Sequence, residues 1–470
     1  MNFFSLDFFY CFLLLFLLYW SFRPSVLIQN GLLLVASYII IGSFSLGSAG
    51  VLLVYSLLIY GLARFAYRTE SKKTGYLLLA LLVCAFFVVF KYYPFFRESL
   101  QLSLNQIGLA GSLPTLDILV PLGLSFYAFH SVSYVVSVAR KEIAPAPLFD
   151  LLLYLSFFPS VVAGPINRAT VFLPQIRPPY LRELRFFKRA IALIALAIAK
   201  LFLCSAFLAE NYVNAVFETP DSYSPLQTLT AVYAYAWQIY FNFSGYTNLV
   251  TGMALLLGFY VPKNFDAPYL SLNLQEFWKR WHISLSTFIR DYVYIPLGGN
   301  RHGFLRKNAN LMAAMVLSGI WHGAGVNFII WGALHGLGLV ILNGAKELKL
   351  FSALPSGPAV RFFARLLTFH YVCFAWIFFR ANDLDTAVAV LHNLSNLSLS
   401  AFVYGAGAGT VWLFLLFYTL YPLWARFRTA LSNAANALPW YTYPVPLVVF
   451  LTLIFIFAPA GIPGFIYANF

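Results

Sequence analysis

Runs of roughly twenty apolar residues recur from one end of this chain to the other, and they decide its fold class. A helix of about twenty residues crosses a hydrocarbon core of ~30 Å. Lipid offers no partner to a free backbone N–H or C=O, so a spanning segment is either a helix or part of a closed barrel. Barrel strands alternate apolar and polar residues over about ten positions, and these runs do not alternate. Only 10% of the 470 residues are charged, against about 25% in a soluble domain. The chain reads as an all-α polytopic membrane protein, residues 1–470 forming a single integral membrane domain.

Spans are expected near 2–22, 26–44, 47–67, 75–93, 117–137, 190–209, 226–243, 246–260, 309–322, 325–343, 360–378, 409–425 and 443–460. With re-entrant segments among them, the crossings number roughly 11–13. Residues 2–22 lack a basic leader and an A-x-A cleavage site, so they read as a retained first span. The formal charge of +14, from 30 basic and 16 acidic residues, calls for no nucleic acid, because Lys and Arg gather in cytoplasmic loops and beside anionic lipid. On that rule Arg64, Arg68, Lys72 and Lys73 lie inside, as do Arg140 and Lys141, and the N-terminus lies outside. The loop with Arg168, Arg177, Arg182, Arg185, Lys188 and Arg189 has two readings. It is another positive-inside loop, or a surface that attracts a phosphorylated, anionic donor. Cys11, Cys84, Cys204 and Cys373 stand singly in apolar runs and read as packing residues.

Two stretches depart from plain spans. Leu151 to Val162 is apolar but too short to cross, and it runs into Phe157–Arg168, where Pro and Gly break a helix at membrane depth. Such backbone is tolerated only where protein covers it or it lines a cavity, so a re-entrant segment is expected. The second stretch, Asn273 to Gly336, holds four of the seven histidines: His282, His302, His322 and His335. Within it Leu274, Phe277, Trp278, Trp281, Leu285 and Phe288 recur every three or four residues. That period predicts one amphipathic helix, stopped by Pro296 and the Gly298-Gly299-Asn300 turn.

Polar residues concentrated in so apolar a chain mark where chemistry is to be sought. His322, in W-H-G at the junction of two apolar runs, has the acid–base range to take a proton from a hydroxyl and return it. Its structural alternative is a buried histidine bonded to a helix carbonyl. His282 joins it, with Glu276, Arg280, Arg290, Asp291 and Asn300, in one candidate pocket. His335 reads as a packing residue and His302 as solvated. No H-x-x-x-H or H-E-x-x-H occurs, so no metal site is expected. L-G-G-N-R is not a P-loop, and no G-x-S-x-G elbow is present.

The segments E-F-W-K-R-W-H-I-S-L-S (276–286), R-D-Y-V-Y-I-P-L-G-G-N-R (290–301), W-H-G (321–323) and F-F-R-A (378–381) together resemble the membrane-bound O-acyltransferases. More narrowly, they resemble the bacterial branch of alginate and peptidoglycan O-acetylation and teichoic acid D-alanylation membrane proteins. P-L-G-L-S-F-Y-A-F (121–129) and F-F-P-S-V-V-A-G-P-I-N-R (157–168) fit the same pattern. The likeness covers about residues 1–385, with further spans over about 386–470. It implies helices around a central funnel, with His322 and His282 as catalytic residues. Beside it, Arg280, Arg290, Asn300, Trp321 and Trp278 are expected on the substrate, Arg280 and Arg290 with Arg301 either holding the donor's phosphates or serving as interface anchors. The likeness implies acetyl-CoA as donor, with no bound cofactor, and transfer across the bacterial cytoplasmic (inner) membrane to peptidoglycan or an alginate-like polymer. Membrane lipid and a separate periplasmic transferase are the implied partners. The chain departs from the branch where Asn242, Asn248 and Ser137 replace expected acids.

A transporter of an acyl or polysaccharide substrate, or a scaffold for a periplasmic transferase, is the rival reading. Alternating access commonly rests on repeated halves, and no internal repeat is visible. The orientation is directly testable. Reporter fusions after Lys73 and after Lys188 are expected in the cytoplasm and one near Asn105 outside; an outer-side signal at Lys73 overturns it.

Overall fold

The computed structural model describes residues 3–108, 113, 118, 120–350, 357–405, 407–437, 439, 442, 444–458 and 464. The first residues of the span expected at 117–137 and the last of that at 443–460 fall outside these. Every regular element among the described residues is a helix. In chain order they are α1 (Leu6–Ser21), α2 (Val26–Phe44), α3 (Leu46–Arg68), α4 (Lys72–Phe90), α5 (Tyr93–Gln106), α6 (Leu124–Ala139), α7 (Leu148–Ser156), α8 (Phe158–Ala163), α9 (Ala169–Ile176) and α10 (Phe187–Ile198). There follow α11 (Asn214–Glu218), α12 (Pro225–Leu256), α13 (Leu274–Arg280), α14 (Ile283–Ile289), α15 (Gly303–His322) and α16 (Val326–Glu347). The last are α17 (Pro358–Arg380), α18 (Leu384–Ser395), α19 (Leu399–Tyr404), α20 (Ala408–Ala437) and α21 (Pro444–Phe457). Six helices among the described residues are long and apolar enough to cross a membrane: α2, α3, α4, the run Phe187–Glu218, α16 and α17. Shorter apolar helices accompany them at Leu6–Ser21, Leu124–Ala139, Leu148–Ala163, Ala408–Leu423 and Val445–Ile456. This is a multi-pass membrane protein.

The chain forms two compact units, one from Met1–Ala195 and Tyr246–Lys263, the other from Leu196–Gly245 and Asn264–Ile466. The two spans expected at 226–243 and 246–260 prove to be one 32-residue helix, α12. Gly245 does not break it. A Cβ there would sit 2.8 Å from Leu201 Cγ and 3.4 Å from the Ala197 carbonyl, so the glycine serves close approach of a neighbouring helix.

In the first unit the helix break expected from Pro and Gly appears at Phe157 and again after Ala163. Its exposed backbone groups are met by side chains, as a dry interior requires. Phe158 N–H donates to Ser37 Oγ at 3.2 Å and Ala169 N–H to Ser133 Oγ at 3.0 Å. Tyr154 Oη donates to the Asn167 carbonyl at 2.8 Å. Arg182, expected among the solvated loop cations, is instead 2% exposed. It donates to Asn30 Oδ1 at 2.8 Å and to the carbonyls of Gln175 and Ile176 at 2.9 and 3.0 Å, and its guanidinium stands 4.5 Å over Phe259. This knot explains why α2 buries the polar side chains Gln29 and Asn30. Ser137, standing where an acid was expected, donates to Glu142 at 2.8 Å, and Glu142 meets Arg140 at 3.7 Å. The carboxylate for Arg140 comes from Glu142, five residues beyond Ser137.

Candidate active site

The site lies wholly in the second unit. Its base is the hairpin of α15 and α16, whose backbones approach closely because glycines face the contact. A Cβ on Gly332 would lie 2.5 Å from the Met315 carbonyl, and one on Gly336 2.6 Å from Met312 Sδ. Gly332 and Gly336 are one turn apart, the small-residue spacing that lets apolar helices touch. His322 ends α15 and Gly323 leaves in extended conformation. Just beyond the turn, Asn327 Nδ2 donates to the carbonyls of Phe378 and Ala381 at 3.2 and 2.8 Å. It thereby satisfies carbonyls that α17 leaves unpaired at its end, and it locks F-F-R-A against the hairpin. His322, 2% exposed, is enclosed by rings: Trp321, Trp331 and Phe379 at centroid distances of 4.5, 4.9 and 5.0 Å.

The single amphipathic helix expected over 274–288 is two helices. α13 ends at Arg280, α14 begins at Ile283, and between them His282 has left-handed backbone angles, φ 41° and ψ 55°. Such angles are uncommon outside glycine, although histidine tolerates them better than most. Hydrogen bonds from the preceding segment secure the break: Asp266 N–H donates to the Arg280 carbonyl at 3.0 Å, and Arg280 Nη1 returns one to the Asp266 carbonyl at 3.0 Å. The His282 ring, 1% exposed, meets Phe243 edge-on at 4.6 Å and stands 6.4 Å from Trp321. The two histidines therefore share one indole.

His335 is fully buried, stacked on Phe277 at 6.0 Å and met edge-on by Trp278 at 5.0 Å and Trp331 at 4.9 Å. Neither of its ring nitrogens has a hydrogen-bond partner. It packs, as expected. Of the residues predicted to touch substrate, Trp321 and Trp278 belong to this aromatic enclosure. Arg280 is taken by Glu276 at 2.8 Å. Glu276 in turn ties down the start of α13: its N–H donates to Oδ1 of the N-cap Asn273 at 2.9 Å, and its Oε2 accepts from the N–H of Leu272, one residue before the cap, at 2.8 Å. Arg290 is exposed and forks onto Asp291 at 2.7 and 3.2 Å. Asn300 is exposed, accepting from Tyr294 Oη, and His302 is exposed too. Trp331, Trp376, Phe379 and Phe243 were not singled out in advance. Trp331 had a legible signal, standing one helical turn before His335.

His282 lies outside the membrane-spanning helices, and burial pushes its imidazole down to about 3. An unfolded histidine titrates near 6.5, so between about pH 3 and 6.5 the unfolded chain binds the extra proton. The stabilisation from burying this ring is therefore complete above pH 6.5 and is lost as pH falls. Among the described residues no group of three His, Cys, Asp or Glu side chains is placed to hold a metal ion. Asn242 Nδ2 donates to the Gly464 carbonyl at 2.9 Å, a bond the expected carboxylate has no proton to make.

Residues 73–384 match the model of the membrane-bound O-acyltransferase family. A peptidoglycan O-acetyltransferase of Helicobacter pylori is 32% identical over 339 residues, which are 66% of this chain and 62% of that protein. A probable alginate O-acetylase, AlgI, of Pseudomonas syringae pv. tomato is 34% identical over 365 residues, 76% of this chain and 68% of the relative. A teichoic acid D-alanyltransferase of Bacillus subtilis is 29% identical over 274 residues, 55% of this chain and 68% of the relative. The match thus spans a little under two thirds of the Helicobacter protein.

The unpartnered nitrogens of His335 give a signed prediction. A buried polar group without a partner costs about 1–3 kcal/mol, so His335→Leu should hold or raise the thermal unfolding temperature in detergent. His335→Ala, which leaves a cavity among the rings of Phe277, Trp278, Trp331 and Trp376, should lower it. A fall with leucine as large as with alanine would show that the ring nitrogens are doing bonding work.

Proposed function

We infer the reaction from one premise: this chain belongs to the membrane-bound O-acyltransferase family. We propose that it moves an acetyl group from a cytoplasmic thioester, acetyl-CoA, to a hydroxyl presented on the outer side of the bacterial cytoplasmic (inner) membrane. The end product is an O-acetylated cell-wall polymer or polysaccharide, peptidoglycan or alginate-like, and a separate periplasmic transferase completes the delivery. The names of the relatives support the acetyl group and the class of polymer. The observation that carries the chemistry is the pair of buried imidazoles, His282 and His322, set against the same indole of Trp321.

In this reading the acceptor hydroxyl gives its proton to His322 while its oxygen attacks the thioester carbonyl. The tetrahedral intermediate collapses, the C–S bond breaks, and the leaving thiolate takes the proton back from His322. His282 has a different task. It orients the donor or bonds the developing oxyanion, where a dry surround makes such a bond strong. Both arginines already hold a carboxylate, Arg280 that of Glu276 and Arg290 that of Asp291; Arg290 is the more exposed of the two, so we assign the donor's phosphates to it in preference to Arg280.

The test is purified protein given labelled acetyl-CoA and an acceptor. His322→Ala should lower transfer by about 10²–10⁴-fold at unchanged folded fraction. His322→Gln should fail equally, because an amide bonds but does not take up a proton near neutral pH. His282→Gln should keep part of the activity and the wild-type pH midpoint, since His282 is not the group that titrates between about pH 6 and 9. Near-normal transfer by His322→Gln removes the base, and a shifted midpoint in His282→Gln removes the division of roles.

A further inference from the structure

We propose that Asn264 is a positioning residue for the reaction, acting as a helix cap supplied from outside the helix so that His282 is free to face the site. The inference rests on the functional reading above and concerns how its second histidine is held.

A helix start leaves backbone N–H groups without partners, and the residue at the N-cap normally accepts from one of them with its own side chain. At α14 the N-cap is His282, and it makes no such bond. The bonds come from elsewhere. Asn264, 1% exposed and 18 residues earlier in the chain, accepts from Ile283 N–H with its backbone carbonyl at 2.9 Å. Its side-chain Oδ1 accepts from Ser284 N–H at 3.1 Å. Both groups belong to the two residues directly after His282. The next helical bond, Ser286 N–H to the His282 carbonyl at 2.9 Å, closes the turn.

This arrangement does two things for His282. The capping duty that would draw an N-cap side chain back over its own helix is taken away, so the imidazole points at Phe243 and Trp321 instead. The left-handed backbone of His282 is also clamped from both sides, by Asn264 on Ile283 and Ser284 and by Asp266 on Arg280. Rare backbone angles persist only where surrounding contacts over-determine them. The Nδ2 of Asn264 is buried with no hydrogen-bond partner. The acceptor Oδ1 is what the position uses.

Deleting the side chain removes one bond, that to Ser284, and leaves the backbone bond to Ile283. The expected result is therefore a misaimed histidine in a folded protein. The experiment uses the full-length protein in detergent, with acetyl-CoA and an acceptor, and compares variants at matched folded fraction. Asn264→Ala should lower kcat by about 10–100-fold, with KM for acetyl-CoA within about twofold, the size of loss that small misplacements of reacting groups produce. Asn264→Asp, which keeps the acceptor oxygen, should recover most of that loss. In a His282→Ala background, Asn264→Ala should change kcat by less than about twofold, because nothing remains to be positioned.

A second readout needs no activity. Diethyl pyrocarbonate labelling followed by mass spectrometry should leave His282 unmodified in wild type and in Asn264→Asp, and modify it several-fold faster in Asn264→Ala. Exposed His302 serves as the internal reference. If wild type transfers no acetyl group, the functional reading falls, while the labelling still decides whether Asn264 positions His282. Should Asn264→Ala not fold, Asn264→Ser takes its place, its shorter acceptor falling short of Ser284 N–H. The proposal is overturned if the alanine and His282 losses multiply, if Asn264→Asp is as impaired as alanine, or if His282 labelling is the same in all variants.

Discussion

A backbone polar group without a partner is costly in an apolar surround, and that single constraint orders this structure. At several helix breaks and ends, a side chain from another segment meets the freed groups. Ser37 and Ser133 do so around the break at Phe157–Gly164. Asn327 does so at the end of α17, and Asn264 at the start of α14. Arg182 gathers two loose carbonyls and two amide side chains into one buried knot. The polar residues of a chain with only 10% charge are thus spent first on its own backbone.

The aromatic enclosure follows from the same economy. Trp321, Trp331 and Phe379 surround His322 with surface that offers little hydrogen bonding. Burial penalises an imidazolium there, so in the proposed reaction the charge on His322 is offset by the oxyanion forming beside it, an attraction that the dry surround screens poorly. The close approach of α15 to α16 through Gly332 and Gly336 sets the rings at that spacing. A bulkier residue at either position would move Trp331, which touches both His322 and His335.

Much of this was legible in the sequence. The apolar runs foretold the helices, with boundaries close to those of α2, α3 and α16. Pro159, Gly164 and Pro165 announced the broken helix, and the two histidines were paired from their place in one polar stretch. What escaped the sequence was decided by tertiary contacts. The period of Leu274, Phe277, Trp281 and Leu285 continues across His282, since a reversal at one residue hardly disturbs an apolar stripe. The spans expected at 226–243 and 246–260 were parted on either side of Gly245, and a glycine in a helix reads the same whether it ends the helix or admits a neighbour. Arg182 looked like a loop cation because its acceptors, Gln29 and Asn30, lie over 150 residues away. The exposed positions of Arg290 and Asn300 likewise depend on where the chain turns after α14.

The central claim is that His282 and His322 serve one transition state. A double-mutant cycle on detergent-purified protein measures it most directly, with acyl transfer followed for wild type, His282→Ala, His322→Ala and the double variant at equal folded fraction. Groups that act as a unit are strongly non-additive, because once one is gone the other has little left to stabilise. The account predicts that each single change lowers turnover steeply and that the double variant is scarcely worse than His322→Ala alone. Losses that simply multiply would contradict it and separate the two histidines into independent roles.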